Sequence, residues 1–234
     1  MCKKPLPVIT ILAVLFLSWP KSCYTAPSNG SHLPPKGHTE AGLEYRRTQE
    51  RQLRHSHGTL RSNNYFYTIS IGVLDWLALD GKIGAGDILH KGGPLDPYIN
   101  YQTGFAGGYG FRIKALEDKE KALRLITGFQ HISVHPQDER ANTYKSEAVM
   151  DDWQWTTLLV KDCAHFSAYI GAKFSDGQIV FRVNEGDPKR FYSRHHAGVV
   201  GGIDFYLFED RVRLNLEGLF IDETAFSATI TYLY

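Results

Sequence analysis

The sequence predicts an all-β protein, an eight-stranded antiparallel up-and-down β-barrel that follows a polar N-terminal segment. Three observations predict this fold. Apolar and polar side chains alternate along eight runs between residues 65 and 234, as they do on strands with one apolar and one polar face. Short and long connections follow one another between the runs. The last run ends the chain on an aromatic residue, Tyr234, that belongs to its apolar set.

The first 26 residues are predicted to be a secretory signal peptide. Lys3 and Lys4 form a positive start, residues 8–19 form an apolar core, and Ala26 offers a small residue for cleavage. The core is shorter than the roughly 20 residues that a spanning helix needs, and Pro20 follows it directly. The pattern therefore favours a cleaved leader over a membrane anchor.

The composition of the remaining chain narrows the possible partners. Removal of the leader would leave 23 basic and 25 acidic residues, a near-neutral balance. Nucleic acid requires a concentrated basic surface, and the sequence offers no such footprint. Cys163 would be the one cysteine left, so no disulfide framework is expected. No residue spacing predicts a metal site, and nothing predicts a cofactor.

Residues 27–63 are predicted to form a flexible, disordered segment, because prolines and glycines interrupt a polar stretch with few apolar side chains. Four histidines lie in this stretch: His32, His38, His55 and His57. Scattered histidines in a mobile segment are expected to be solvated rather than to bind metal. The barrel is then predicted to occupy residues 64–234.

The eight predicted strands cover residues 65–79, 97–116, 121–135, 149–161, 165–183, 191–208, 211–221 and 225–234. In the first strand, Tyr65, Tyr67 and Ile69 belong to the apolar set. The third and fourth strands alternate less cleanly, because Ile126 and Leu158 fall in sets that are otherwise polar. The registers of these two strands are therefore the least defined.

The last two strands are predicted to form a hairpin. Both of their apolar sets are even-numbered, so parity requires a loop with an odd number of residues. The simplest pairing places Phe220 opposite Phe226 around a turn at Asp222, Glu223 and Thr224.

The connections are predicted to be asymmetric. Short turns fall at residues 117–119, 162–163 and 209–210, and longer hydrophilic loops fall at residues 80–96, 136–148 and 184–190. An even number of strands also places both chain ends on the side of the short turns.

The polar set of the last strand indicates which face meets water. Ser227, Thr229 and Thr231 are small hydroxyl residues, which suit a crowded barrel interior, and in that arrangement the apolar set faces lipid. This strand, amphipathic and ending in an aromatic residue, resembles the closing strand of outer-membrane β-barrels.

Over residues 65–234 the chain is similar to small eight-stranded outer-membrane barrels, the class of OmpA-type transmembrane domains and OmpW-like proteins. The resemblance implies a transmembrane barrel in the outer membrane of a Gram-negative-type cell, in contact with outer-membrane lipid. It also implies that barrel-assembly machinery reads the final strand, with Phe226, Tyr232 and Tyr234 as the signal. It names no reaction, solute or surface partner.

Charged residues at predicted inward positions define a candidate interior network. The interior of an eight-stranded barrel is just wide enough for side chains to fill it, and an isolated buried charge costs several kcal/mol. The inward charges are therefore expected to pair: Arg112, Lys114, Arg124, Lys173, Asp204, Arg213 and Glu217. A paired network that plugs the barrel is the first interpretation, and a gated narrow conduit is the alternative.

The favoured function is a porin-like outer-membrane barrel without catalysis, serving envelope structure, surface contact or small-solute passage. One alternative is a membrane-embedded lipid hydrolase, which needs a nucleophile, a base and a carboxylate. Its candidates are Ser193 with His195 or His196, and Glu185, Asp187 or Glu209 as the acid. The other alternative is a secreted lipocalin-like barrel that binds an apolar ligand.

Overall fold

The computed structural model describes residues 30–92, 98–141, 144–184 and 186–233. The predicted signal peptide, Glu185 and Tyr234 lie outside the described residues. Strands dominate the described ranges, in which one short 3-10 helix, Arg54–Ser56, follows the first strand. The strands are β1 Thr39–Gln52, β2 Thr59–Leu74, β3 Leu77–Lys91, β4 Ile99–Asp118, β5 Leu123–His135, β6 Glu139–Ala141, β7 Tyr144–Asp162, β8 Phe166–Val183, β9 Lys189–Tyr192, β10 Ala197–Leu207, β11 Val212–Phe220 and β12 Thr224–Leu233.

Ten of these strands form a closed ring in the order β1, β2, β3, β4, β5, β7, β8, β10, β11 and β12, and the pairing of β12 with β1 completes it. Neighbouring strands in the ring are antiparallel. The short strands β6 and β9 pair only with β7 and β8 respectively and lie outside the ring. The predicted antiparallel barrel is confirmed, whereas the predicted number of eight strands is wrong.

The first strand missing from the prediction is β1. The prediction of a flexible segment is wrong for residues 39–63, which form β1, the first connection and the start of β2. The inward positions of β1 carry Glu40, Glu44 and Arg46, and the outward position 47 carries a second arginine. Because charge occurs on both faces, the strand lacks the apolar alternation that identifies the others.

The second missing strand is β3, which occupies most of the predicted loop at residues 80–96. Glycines at positions 81, 84 and 86 weaken its apolar pattern. The residues from Val73 to Leu79 also form an almost continuous apolar run that hides the tight turn at Asp75 and Trp76. The sequence therefore predicted one long strand where the structure has a hairpin.

The two ends of the barrel differ as predicted. At one end, here called the turn end, short connections join β2 to β3, β4 to β5, β7 to β8 and β10 to β11. Thr39 and Leu233, the outer ends of β1 and β12, lie at this end too. The opposite end, here called the loop end, carries the described residues 53–58, 92, 98, 136–141, 184, 186–196 and 221–223.

The C-terminal hairpin has the predicted parity but a different register. Gly218 lies opposite Phe226, so the pairing is shifted by two residues from the predicted Phe220–Phe226 pair. Both apolar sets still share one face, because a shift of two residues preserves parity. The turn consists of residues 221–223, one position earlier than predicted, and its Asp222 and Glu223 point into the barrel and are buried.

Large apolar side chains on the outward positions are exposed on nearly every described strand of the ring. Tyr65, Tyr67, Ile83, Ile170 and Ile230 are each more than half exposed. The inward positions are buried and mostly polar. The predicted placement of the polar sets inside the barrel and of the apolar sets outside it is therefore confirmed. Among the described residues, no helix has the length and apolar character that membrane crossing requires.

Apolar residues also enter the interior, in two clusters. The larger fills the loop-end half and consists of Leu53, Leu60, Phe66, Ile88, Tyr101, Ala106, Ile132, Val134, Ala148, Met150, Ile179 and Phe181. The second lies nearer the turn end and contains Ile126, Leu158, Val160, Tyr169, Val200, Leu219 and Ala225. Ile126 and Leu158 broke the predicted alternation because they pack here, inside the barrel.

Candidate functional site

The candidate site is the barrel interior, where the structure places most of the predicted inward charges. Arg112, Lys173, Asp204, Arg213 and Glu217 are buried there. Arg124 is partly buried near the turn end and pairs with Asp162 at 2.5 Å. Lys114 lies outside this group, because it contacts Glu117 at 2.9 Å on the partly exposed turn end of β4.

Six buried charges meet beneath the loop end in what we call the loop-end charge cluster: Arg46, Arg51, Asp152, Lys173, Asp222 and Glu223. Glu223 receives Arg46 at 2.7 Å, Arg51 at 2.8 Å and a shorter contact from Lys173. Arg51 also contacts Asp152, and Lys173 contacts Asp222 at 2.8 Å. Three positive and three negative groups thus balance one another, which burial requires.

The two acids of this cluster that lie in the β11–β12 turn have opposite pKa shifts. Burial raises the pKa of Glu223, but the positive charges of Arg51, Lys173 and Arg46 outweigh burial and hold that pKa well below its usual value. Burial prevails at Asp222, whose pKa is raised although Lys173 opposes the change. Glu223 is therefore the acid that contacts all three cations and remains ionised among them.

Two further ion pairs line the wall formed by β1 to β4. Lys82 contacts Glu44 at 2.6 Å. Arg112 binds Asp80 through two bonds of 2.7 and 2.8 Å and also donates to Ser70 at 2.5 Å. A two-bond guanidinium–carboxylate pair fixes the orientation of both groups as well as neutralising them.

Residues 30–36, here called the inserted segment, enter the barrel from the turn end. Ser31 donates its backbone N–H and its hydroxyl to Asp204, at 2.7 and 2.6 Å. Arg124 donates to the carbonyl of Ser31 at 2.9 Å, and Arg112 donates to the carbonyl of His32. Leu33 packs against the second of the two interior apolar clusters, the one that contains Ile126 and Leu158. The predicted interior charges thus contact a stretch of the chain that the sequence predicted to be flexible.

The side chain of His32 contacts a carboxylate and an aromatic ring of the barrel. Its Nε2 lies 2.8 Å from Glu40, and its ring packs edge-on against Tyr206 at 5.8 Å. No group of three or more possible metal ligands occurs among the described residues.

The hydrolase candidates do not form a catalytic arrangement among the described residues. The hydroxyl of Ser193 is buried and has no hydrogen-bond partner there. The Nδ1 of His196 lies 3.0 Å from the carbonyl of Ser175, and its other nitrogen contacts Arg54. Glu209 lies in the β10–β11 connection at the turn end, whereas Ser193 lies at the loop end.

Ser193 instead belongs to a closure over the loop end. It forms a bridge with Leu53, and Arg194 donates its N–H to the carbonyl of Gln52 at 2.8 Å. Phe191 packs on His57 with ring centroids 4.3 Å apart. The β8–β10 connection therefore joins the β1–β2 connection above the three short strands β10, β11 and β12.

Sequence reasoning missed the partners of several interior charges. Glu40, Glu44, Arg46 and Arg51 were assigned to the flexible segment, and Glu223 was assigned to the turn of the C-terminal hairpin. One signal was present: the charged residues at positions 40, 44 and 46 lie on alternate positions of the chain, in one series with Gly42 and Thr48. Spacing by two places them on one face of a strand.

No family model matches the chain, and no curated protein matches it. Several solved outer-membrane β-barrels are similar in structure. The attachment invasion locus protein Ail of Yersinia pestis, solved with the heparin analogue sucrose octasulfate, is 9% identical, with 85% of this chain and 99% of that chain covered and a TM-score of 0.44. An outer membrane channel from Pseudomonas putida F1 is 10% identical, with 90% and 100% covered and a TM-score of 0.44.

The transport unit of the autotransporter AIDA-I from Escherichia coli is 12% identical, with 97% of this chain and 95% of that chain covered and a TM-score of 0.44. Likeness at this level assigns no activity, so the function has to follow from the residues of this chain.

Proposed function

We propose that the chain is an outer-membrane β-barrel with a closed interior that serves envelope structure or surface contact rather than solute passage. The observation that carries the proposal is the belt of exposed apolar side chains around a charged interior. Soluble monomers rarely expose contiguous apolar surface on this scale, whereas a membrane barrel requires it.

Charged side chains at the borders of the belt support a membrane location. Arg47 and Arg61 point outward towards the loop end, and Lys161 points outward near the turn end. Between them the outward positions of β2 carry Tyr65, Tyr67, Ile69, Ile71 and Val73. Lipid contact explains why the apolar set lies outside the barrel and not inside it.

A soluble lipocalin-like barrel would reverse this arrangement, with an apolar ligand cavity inside and polar residues outside. The interior here contains paired charges, two packed apolar clusters and the inserted segment. These groups occupy the space that an apolar ligand or a column of water would need. The same packing favours a structural or surface-contact role over a conduit.

The first test is location. The mature protein should be recovered in the outer-membrane fraction of its source cell and should show heat-modifiable mobility on gels, because a closed barrel resists detergent unless it is heated. Recovery as a monodisperse soluble protein in detergent-free buffer would overturn the proposal.

The terminal strand is proposed as the signal for barrel-assembly machinery. Phe226 and Tyr232 point outward on β12 and are exposed. Deleting Tyr234 should lower the amount of protein in the membrane more than it lowers the stability of the refolded barrel, since the loss of one side chain costs at most the roughly 1.5–3 kcal/mol of a buried large side chain. Membrane yield and urea unfolding in detergent measure the two effects. Wild-type membrane levels would contradict the assignment.

A further inference from the structure

We infer that the turn-end half of the barrel wall is a binding site for an extended peptide, that the inserted segment occupies it, and that this segment is a releasable plug. The inference goes beyond a closed barrel, because it identifies which part of the chain closes the turn end and which wall residues hold it.

The segment is held from opposite sides of the ring. The carbonyl of His32 receives Arg112 from β4, and it lies 3.5 Å from Arg213 of β11. These two strands are five positions apart in a ring of ten, so they face each other across the interior. A group contacted from both walls lies across the lumen, not along one side of it.

The wall recognises backbone groups as well as side chains. Arg112 and Arg124 donate to two successive carbonyls, and Asp204 accepts both the N–H and the hydroxyl of Ser31. Peptide carbonyls and N–H groups inside a protein need such partners, because leaving them unpaired is costly. The charges are matched to backbone groups of the segment: guanidinium groups meet carbonyls, and a carboxylate meets donors.

Two glycines show how closely the segment and the wall fit. A Cβ on Gly72 of β2 would lie 2.1 Å from the carbonyl oxygen of Pro35 and 2.4 Å from that of Pro34. A Cβ on Gly30 would lie 2.6 Å from a carboxylate oxygen of Asp204, and Gly30 also has a φ of +72°. Side chains at these positions would prevent the segment from entering the site.

The segment ends beside a backbone anchor that its release would leave intact. Gly37 donates to the carbonyl of Gly72 at 2.7 Å, Gly72 donates to the carbonyl of His38 at 3.0 Å, and β1 begins at Thr39. Release of residues 30–36 therefore requires no strand of the ring to separate. The loop-end apolar cluster would stay packed after release, so the result would be a water-filled vestibule open at the turn end and not a continuous pore.

The test uses one reporter cysteine at Thr229, in the full chain with the other cysteines replaced by serine. Thr229 is buried, faces inward on β12 and lines a small space with Arg112 and Arg213. The rate of labelling by a small, water-soluble maleimide is measured on folded protein in detergent, with heat-modifiable mobility as the check on folding.

Two variants loosen the plug from opposite sides. Gly72→Ala changes the wall, and Ser31→Ala combined with Leu33→Asp changes only the segment. Each should accelerate labelling at position 229 by about tenfold or more. Gly72→Ala places a Cβ against the carbonyls of Pro34 and Pro35, whereas the segment variant removes the hydroxyl bond to Asp204 and the packing of Leu33. Lys36→Ala is the control within the segment. Gly201→Ala is the control for the wall, because the nearest atom to its Cβ would be 3.7 Å away. Neither control should change the rate.

Equal labelling of position 229 in the unchanged protein and in both loosened variants, with the barrel folded, would overturn the inference. Rapid labelling of position 229 in the unchanged protein, as fast as that of an exposed Lys36→Cys, would overturn it too. If one loosened variant does not fold, the other still decides the outcome. Because the measurement is made in detergent, it does not depend on the cellular location of the barrel.

Discussion

Replacing Glu223 with glutamine should lower the free energy of unfolding by about 3–5 kcal/mol, the usual cost of removing one partner from a buried ion pair. The change leaves three buried cations, Arg46, Arg51 and Lys173, facing two acids where there were three. Glutamine has nearly the same size as glutamate, so the loss reports on charge and not on packing. Urea unfolding of the purified barrel in detergent measures it.

Glu209→Gln is the matched control, since Glu209 is exposed in the β10–β11 connection. It should change stability by less than about 0.5 kcal/mol. Adding Lys173→Met to Glu223→Gln should recover part of the loss, because the double variant restores the charge balance of the cluster. A loss below about 1 kcal/mol for Glu223→Gln alone would show that the cluster is not charge-coupled as described.

The effect of Glu223→Gln should also depend on pH. A carboxyl whose pKa is lowered on folding stabilises the folded state above its unfolded pKa, here near 4.5. That contribution is lost as the pH falls towards the lowered pKa. The difference in stability between the unchanged protein and Glu223→Gln should therefore be constant at neutral pH and shrink in acid.

Leu216→Arg should strongly impair membrane insertion and the stability of the inserted barrel, by about 2–4 kcal/mol if position 216 lies near the middle of the bilayer. Leu216 points outward on β11 and is 39% exposed. In a soluble barrel an arginine at such an exposed position would be tolerated, so this variant separates a lipid-facing wall from a water-facing one. The amount of heat-modifiable protein in the membrane is the measurement.

Ile221→Arg is the control for Leu216→Arg. Ile221 is exposed in the loop-end turn, beyond the outward face of the strands, and its φ of +83° strains isoleucine and arginine alike. It should leave insertion unchanged. Asn215→Arg is a poorer comparison, because Asn215 is buried and binds Tyr169 at 2.8 Å and Asp204 at 3.0 Å. Equal tolerance of arginine at positions 216 and 221 would mean that β11 does not face lipid.

The alternation of side chains was enough to predict an all-β barrel, its inward and outward faces and the asymmetry of its ends. Leu216, Ile230 and Thr229 lie on the faces that parity predicts, because successive residues of a strand point to opposite sides whatever their partners are. Five of the seven predicted inward charges are buried for the same reason.

The strand count depended on the tertiary structure. β1 has charged side chains on its inward face, and those charges are acceptable only because Lys82, Arg213 and Glu223 approach them from other strands. A short stretch of sequence does not contain these partners. Charges in such a stretch therefore indicate solvent exposure, although in the folded barrel they are buried and paired.

The contents of the interior were likewise decided by tertiary structure. The sequence alone determined that Arg112, Arg124, Arg213 and Asp204 face inward, but not what they bind. In the folded barrel they meet the backbone of Ser31 and His32, which lie about 80 to 180 positions away in the chain. Parity fixes the direction of a side chain locally, whereas its partner is fixed only when the ring closes and opposite walls are brought together.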